Sequence, residues 1–348
     1  MSVFQKFFAV FILILFIFPE YDYSQKTAKE EPTKIPKEVA DIIDTNLPAR
    51  QAKLDIPISY GNTLYFPYQN DYFTCFFFKT KNKALGYAVP FLEKKKAKAK
   101  EKREKEAENE VKEREKILSC NVDFFFRIYS LEKDGKVGGI YREISLPYDD
   151  QVESKEYNPQ EENIYSFATI FPPGHYLLSA AAASLDLTKI GVMFQEFYLP
   201  FPSDYKQNLG LTPLFFMKSI KRIPAPDSVI KIYENLFHYD FLEIEPFFDH
   251  EFSLTEKLDI LYYILGGTPS EEGKYNFEVN YIYKKGEEEV AKFEPQVMKN
   301  VPTPIVSIPL PLLLEEKKLE AGEYTLEINA KDHIGKKEGT GKIHFIVK

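Results

Sequence analysis

From Ile56 onward, apolar residues fall into short dense runs separated by turn signals. Tyr72-Phe73-Thr74-Cys75-Phe76-Phe77-Phe78 is the densest and ends in the polar stretch Lys79–Lys83. Asn121–Ser130 is a second run, followed by the turn Lys133-Asp134-Gly135-Lys136. Gly139–Pro147, Tyr165–Ile170, Tyr176–Ala183 and Gly191–Leu199 complete a first set. Runs of this length, rich in aromatic and β-branched residues and bounded by Gly, Pro and Asp, predict strands of an all-β sandwich.

The order recurs in the second half. Leu258–Leu265 stands for the Tyr72 run, and Tyr275–Tyr283 with Lys284-Lys285-Gly286 stands for Val122–Leu131 and its turn. Gly174-His175-Tyr176 and Gly322-Glu323-Tyr324 open matching apolar stretches that close at Phe197 and Phe345, with the same spacing from Gly to Tyr to Phe. The pattern predicts two tandem immunoglobulin-like β-sandwiches, residues 55–200 and 216–348, joined by a connection over 201–215 that carries Pro202, Asn208, Gly210 and Pro213.

Two segments break the pattern. Phe7 to Phe18 is unbroken apolar sequence behind Lys6, ended by Pro19, with Ser24 as a small residue before Gln25. This reads as an export signal over 1–24, too short for an ordinary membrane-spanning helix. Residues 25–54 are polar and carry Pro32, Pro36 and Pro48, which predicts a linker with a short helix at Lys37–Thr45. Where the second half needs only Gly266–Lys274 between two strands, the first half inserts a long stretch. Residues 93–117 of it are almost wholly Lys, Arg, Glu and Ala. These residues favour a helix, and Glu101/Lys105 and Glu110/Arg114 have i,i+4 spacing. The insertion has no apolar stripe, so it predicts a projecting charged arm of about 35 Å.

Composition narrows the chemistry. The chain of 348 residues has a net charge of −8 and no Trp. It offers no broad basic face for nucleic acid. No second apolar segment reaches the length of a membrane span, so the mature chain is expected outside the cytoplasm, periplasmic or secreted. Cys75 and Cys120 are the two cysteines; an oxidising compartment permits a disulfide between them, and the competing reading is two buried thiols. His238-Tyr239-Asp240 and Asp249-His250 are the one close grouping of ligand-type residues, and no metal-binding helical spacing accompanies it. No G-x-S-x-G elbow, phosphate-binding loop or dinucleotide fingerprint occurs, and no cofactor is expected. Calcium at Asp149-Asp150 or Asp332 lacks a loop of regular ligand spacing.

Gly174/Tyr176 and Gly322/Tyr324 resemble the Gly-x-Tyr entry into a late strand of tandem Ig-like or fibronectin-III-like sandwich proteins of bacterial cell envelopes. In that family the Tyr hydroxyl ties down the preceding corner. The resemblance implies a non-catalytic binding or structural protein whose partner is another envelope or extracellular protein, engaged through sheet edges or the charged arm. One alternative is a glycan-binding module using Tyr65, Tyr68, Tyr72 and Tyr148 as stacking surfaces. The other is a hydrolase whose site the sequence does not reveal.

Overall fold

In the computed structural model, residues 34–89, 117–225, 229–312 and 319–348 are described. The expected export signal and the charged arm lie outside them. The first half supplies helix α1 (Lys37–Asn46) and strands β1 (Lys53–Leu54), β2 (Ser59–Tyr68), β3 (Asp71–Lys81), β4 (Ile117–Leu131), β5 (Val137–Glu153), β6 (Glu162–Phe171), β7 (Gly174–Ser184) and β8 (Ile190–Leu199). The second supplies β9 (Gly210–Leu211), β10 (Phe215–Arg222), β11 (Tyr233–Glu234), β12 (Phe237–Tyr239), β13 (Leu242–Phe247), β14 (Glu251–Phe252) and β15 (Lys257–Leu265). It continues with β16 (Tyr275–Lys285), β17 (Glu288–Lys292), β18 (Gln296–Val301), β19 (Ile305–Pro311), β20 (Gly322–Asp332) and β21 (Lys337–Val347).

These strands form four sheets. Sheet I runs β1-β8-β7-β4-β5 and sheet II runs β11-β6-β3-β2. Sheet III runs β12-β13-β10-β15-β19, and sheet IV runs β14-β21-β20-β16-β17, with β18 also on β16. The two halves share one strand order: β2-β3-β6 matches β10-β15-β19, and β8-β7-β4-β5 matches β21-β20-β16-β17. The fold is therefore two Ig-like sandwiches, each a sheet pair enclosing its own core.

The sandwiches are also stacked on each other. Phe76, Phe78, Phe124, Phe126 and Phe167 fill the layer between sheets I and II. Leu64, Phe66, Cys75 and Phe77 of sheet II meet Phe215, Phe237, Ile244 and Leu261 of sheet III in a second apolar layer. Leu258, Ile260 and Tyr262 of sheet III meet Tyr281, Tyr283, Leu326 and Ile328 of sheet IV in a third. Strands β3 and β15 are thus covered on both faces. This explains why Cys75-Phe76-Phe77-Phe78 is continuously apolar instead of alternating.

Helix α1 covers the outer face of sheet I. Its Val39 and Ile43 are fully buried against Phe125, Leu177, Ala181 and Val192. Sequence placed 34–54 in a polar linker; this part of it is instead a packed layer of the first sandwich, and β1 adds to it by pairing with β8. The connection over 201–215 likewise belongs largely to the second sandwich. There β9 pairs with β15, and Lys337 Nζ donates to the carbonyls of Tyr205 at 3.1 Å and Gly266 at 2.8 Å. One segment crosses in the other direction. β11 follows the second sandwich's first strand, yet pairs with β6, with Tyr233 opposite Ser166 and Glu234 opposite Tyr165.

Candidate functional site

The matched tyrosines sit in matched places. Tyr176 stands opposite Phe197 in the β7–β8 ladder, and Tyr324 stands opposite Phe345 in the β20–β21 ladder. Their rings stack with centroids 5.1 Å and 5.6 Å apart. The Tyr176 hydroxyl donates to the Pro172 carbonyl at 3.0 Å, and the Tyr324 hydroxyl donates to the Glu320 carbonyl at 2.9 Å. Both rings are buried. Gly174 and Gly322 open the two strands; these four residues build corners and present nothing to a ligand.

Cys75 and Cys120 are free and buried. The disulfide permitted by the sequence is not formed, because the two side chains occupy different layers. Cys75 lies in the layer between sheets II and III, and Cys120 in the core between sheets I and II. Burial raises the Cys75 thiol well above its ordinary range and pushes Cys120 up to about 11, so both stay protonated.

The histidine grouping is dispersed. His238 contacts the Tyr233 hydroxyl at 3.0 Å and Glu243 at 3.3 Å, whereas His250 contacts the carbonyl of His344 at 3.0 Å. Among the described residues no cluster of three His, Cys, Asp or Glu side chains is placed to hold a metal ion. Asp332 is fully buried and anchors a loop, accepting from the backbone N–H groups of Thr268 at 2.8 Å and Ile334 at 2.9 Å. Of the tyrosines considered for sugar stacking, Tyr72 is buried beneath Tyr65, and Tyr148 gives its hydroxyl to Glu234. They form no exposed aromatic row. A shallow cleft of about 450 Å³ at one end of the second sandwich is floored by Met217, Phe247, Phe252 and Pro311, and Asp259 there pairs with Lys257 at 3.5 Å. Its lining contains no His, Ser or Cys.

The edges are more distinctive. β8, β6 and β21 are each capped for two residues by β1, β11 and β14. β19 carries Pro309 and Pro311, and β2 carries Pro67 and a bulge at Tyr60/Asn62; both devices discourage pairing at an edge. β5 is different. It has 17 residues and pairs with β4 along its whole length. Its other edge makes no backbone ladder with any described strand. Ile140, 54% exposed, lies on it, as do the exposed Tyr141, Asp149, Gln151 and Glu153.

Inside this edge is a half-buried group that the sequence did not single out. The Tyr148 hydroxyl donates to Glu234 Oε2 at 2.5 Å, and the Tyr87 hydroxyl donates to Asp150 Oδ2. Tyr148 and Asp150 come from β5, Glu234 from β11, and Tyr87 from the segment just before the insertion. Tyr157 packs on Tyr87 with ring centroids 5.2 Å apart. Tyr165 is fully buried under Tyr148, with ring centroids 5.0 Å apart. Burial raises the Glu234 carboxyl above its ordinary range; Asp150 and Glu161 add to the rise, and the Tyr148 bond opposes it. On the opposite face of sheet I, burial and the neighbouring Asp149 raise Asp123. The only sequence signal for this group was Asp149-Asp150; its partner Glu234 is more than eighty residues away and arrives through the crossing of β11.

No family profile matches the chain, and no curated protein sequence does. Among solved structures, the crystal structure of red sea bream transglutaminase aligns at 6% identity and a TM-score of 0.24, over 90% of this chain and 34% of that one. The chain thus spans about a third of that enzyme's length. Fibronectin(III)-like modules of Clostridium thermocellum CbhA align at 10% identity and a TM-score of 0.18, over 66% of this chain and 85% of that one. The sandwich assignment rests on strand order and core, not on these alignments. Among the described residues no helix is long and apolar enough to cross a membrane.

Proposed function

We propose that this chain is an exported, non-catalytic binding or structural protein of the cell envelope that engages a second protein through a β-sandwich edge. The observation that carries this reading is the free edge of β5, the longest strand described and one without a proline until Pro147. An unpaired row of N–H and C=O groups suits strand addition by a partner. The stacked, fully filled layers suit a rigid platform for that edge. Export rests on the sequence pattern of residues 1–24, and the charged arm is a second contact surface on sequence grounds alone.

The test is affinity capture from envelope extract, using the chain from Gln25 onward and a variant carrying Ile140→Lys and Gln151→Lys. A partner held by the parent chain and lost by the variant supports edge binding. A partner held equally by both, but lost when residues 94–116 are replaced by a short turn, assigns binding to the arm instead. Mass spectrometry of exported material tests the export reading: an intact Met1 would exclude cleavage after Ser24.

A further inference from the structure

We infer that the junction between the two sandwiches is a binding site for a neutral glycan, with the Tyr198 and Phe201 rings as stacking surfaces for a pyranose and neighbouring side-chain oxygens as its hydrogen-bonding groups. The inference is independent of the β5 edge and adds a second class of ligand to the reading above.

The site is built by the chain as it leaves the first sandwich. β8 ends at Leu199, and the short helical turn Pro202–Tyr205 follows. The Phe201 backbone N–H donates to Asp204 Oδ2 at 2.9 Å, and the Tyr198 hydroxyl donates to the same oxygen. Tyr198 lies edge-on to His175 with centroids 6.2 Å apart, and tilts against Phe201 at 6.3 Å. Even so, Tyr198 is 48% exposed and Phe201 43%. Two large aromatic residues are thus held by specific contacts while much of their surface faces water. Side chains fixed before a ligand arrives lose less entropy on binding.

Oxygen atoms gather beside these rings. Tyr65 of β2 and Tyr205 are half-buried, and a hydrogen bond joins their hydroxyls. Burial raises both above their ordinary range. Tyr198 adds to the rise of Tyr65, and Tyr65, Tyr72 and Asp204 add to that of Tyr205. Tyr72 lies edge-on to Tyr65 with centroids 5.2 Å apart and is buried. The second sandwich clamps Tyr205 from the other side. A Cβ on Gly210 or Gly266 would come within 2.1 Å or 2.3 Å of Tyr205, and Lys337 Nζ donates to the Tyr205 carbonyl at 3.1 Å. Support of this kind keeps a recognition group in one position.

The combination selects the ligand. A pyranose has a face of C–H groups and a rim of hydroxyls. Its C–H face packs on the electron-rich face of an aromatic ring. Its rim needs partners that donate and accept; a phenol hydroxyl does both, and a carboxylate accepts. An apolar side chain of a protein would use the rings and leave the oxygens unanswered. An acidic sugar would bring its charge against the Asp204 carboxylate. Junctions between domains are a common place for a site of this make-up. Of the tyrosines first considered for stacking, Tyr65 and Tyr72 do belong to this group, but Tyr65 supplies a hydroxyl and Tyr72 its support. The stacking rings are Tyr198 and Phe201.

The test uses the chain from Gln25 onward with cellohexaose, maltohexaose and chitohexaose, and with hexagalacturonic acid as the acidic control. Titration calorimetry reads affinity, and saturation-transfer NMR reads which sugar protons lie against aromatic rings. The variants are Tyr198→Ala, Phe201→Ala and Tyr65→Phe, with thermal melts to confirm that each folds. We expect a neutral hexamer to bind at millimolar concentration or below, with its axial C–H protons saturated from the rings. Tyr198→Ala and Phe201→Ala should each weaken that binding roughly ten-fold, and Tyr65→Phe by a smaller factor. The paired change Ile140→Lys and Gln151→Lys should leave it unaltered. If no neutral hexamer binds, or the two ring variants bind like the parent, the glycan site is wrong and the edge reading stands. Equal affinity for the acidic hexamer would overturn the assignment to a neutral sugar.

Discussion

Gly174 and Gly322 occupy matched positions, but different physics requires each of them. A Cβ on Gly174 would lie 2.8 Å from the Tyr176 ring, so the constraint there is space. Gly322 has φ of +152°, and a Cβ would meet nothing closer than Lys285 at 3.5 Å, so its constraint is backbone conformation. Alanine at either position should cost about 1–3 kcal/mol, by overpacking in the first case and by strain in the second. Denaturant midpoints check both. The tyrosine that each glycine introduces is separable into hydroxyl and ring. Tyr324→Phe removes one partly buried hydrogen bond and should cost about 1 kcal/mol. Tyr324→Ala also empties the space against Phe345 and should cost roughly 3–5 kcal/mol. If both changes were thermodynamically silent, Tyr324 would not be a corner anchor. Glu327 is a residue whose charge depends on the fold. Lys284 at 2.7 Å, with Asn329 and Lys342, holds its carboxyl down to about 2, against an ordinary value of 4.5. A depressed carboxyl stabilises the folded state above its unfolded pKa, and that contribution disappears as the pH falls through the folded value. Stability measured from pH 5 down to pH 2 should therefore fall less steeply in Glu327→Gln than in the parent.

At the scale of elements, what surrounds a strand decides its pattern. β4 sends Phe124, Phe126 and Ile128 into the sandwich core, and Phe125, Tyr129 and Leu131 under helix α1. Its near-continuous apolar run was readable as a strand, but the cover on its second face was not. The helix itself was anticipated at Lys37–Thr45; its attachment was not, because Val39 and Ile43 form too short a stripe to announce a docking face. Ile43→Ala should cost about 2–5 kcal/mol, the usual range for an emptied core position; a loss below 1 kcal/mol would return the helix to the status of a linker. The charged insertion is expected to be dispensable for folding. Its ends are held side by side, since Ala88 and Ser119 exchange backbone hydrogen bonds at 2.9 Å each way, and a short turn can close that gap. Replacing residues 94–116 by such a turn should leave the melting temperature within a few degrees of the parent. A large drop would show that the arm is packed.

For the whole molecule, the layer between sheets II and III is decisive. Phe66 and Phe77 are buried there, with ring centroids 6.1 Å and 5.7 Å from that of Phe237. The β11–β6 pairing and the Ser166 hydroxyl bond to the Leu236 carbonyl at 2.6 Å stitch the same boundary. Two sandwiches joined by so apolar a layer should unfold as one cooperative unit, in contrast to domains that meet through small polar contacts. Calorimetry is expected to give a single transition. Phe77→Ala should lower it as a whole, at a cost of roughly 3–5 kcal/mol. Two transitions, with only one moved, would mean that the sandwiches are independent.

The local pattern was enough to specify most strands, the turn at Gly135, the paired Gly-x-Tyr corners and the two-sandwich order. Each of these depends on neighbours in sequence: strand period, turn chemistry and the spacing from Gly to Tyr to Phe. Burial on a second face was present in the sequence only as unusually dense apolar runs, and density does not say what covers it. The stacking of the sandwiches, the role of α1, the crossing of β11 and the separation of Cys75 from Cys120 were decided by tertiary structure. So was the meeting of Asp150 with Glu234, because long-range pairing brings together carboxylates that no local period connects.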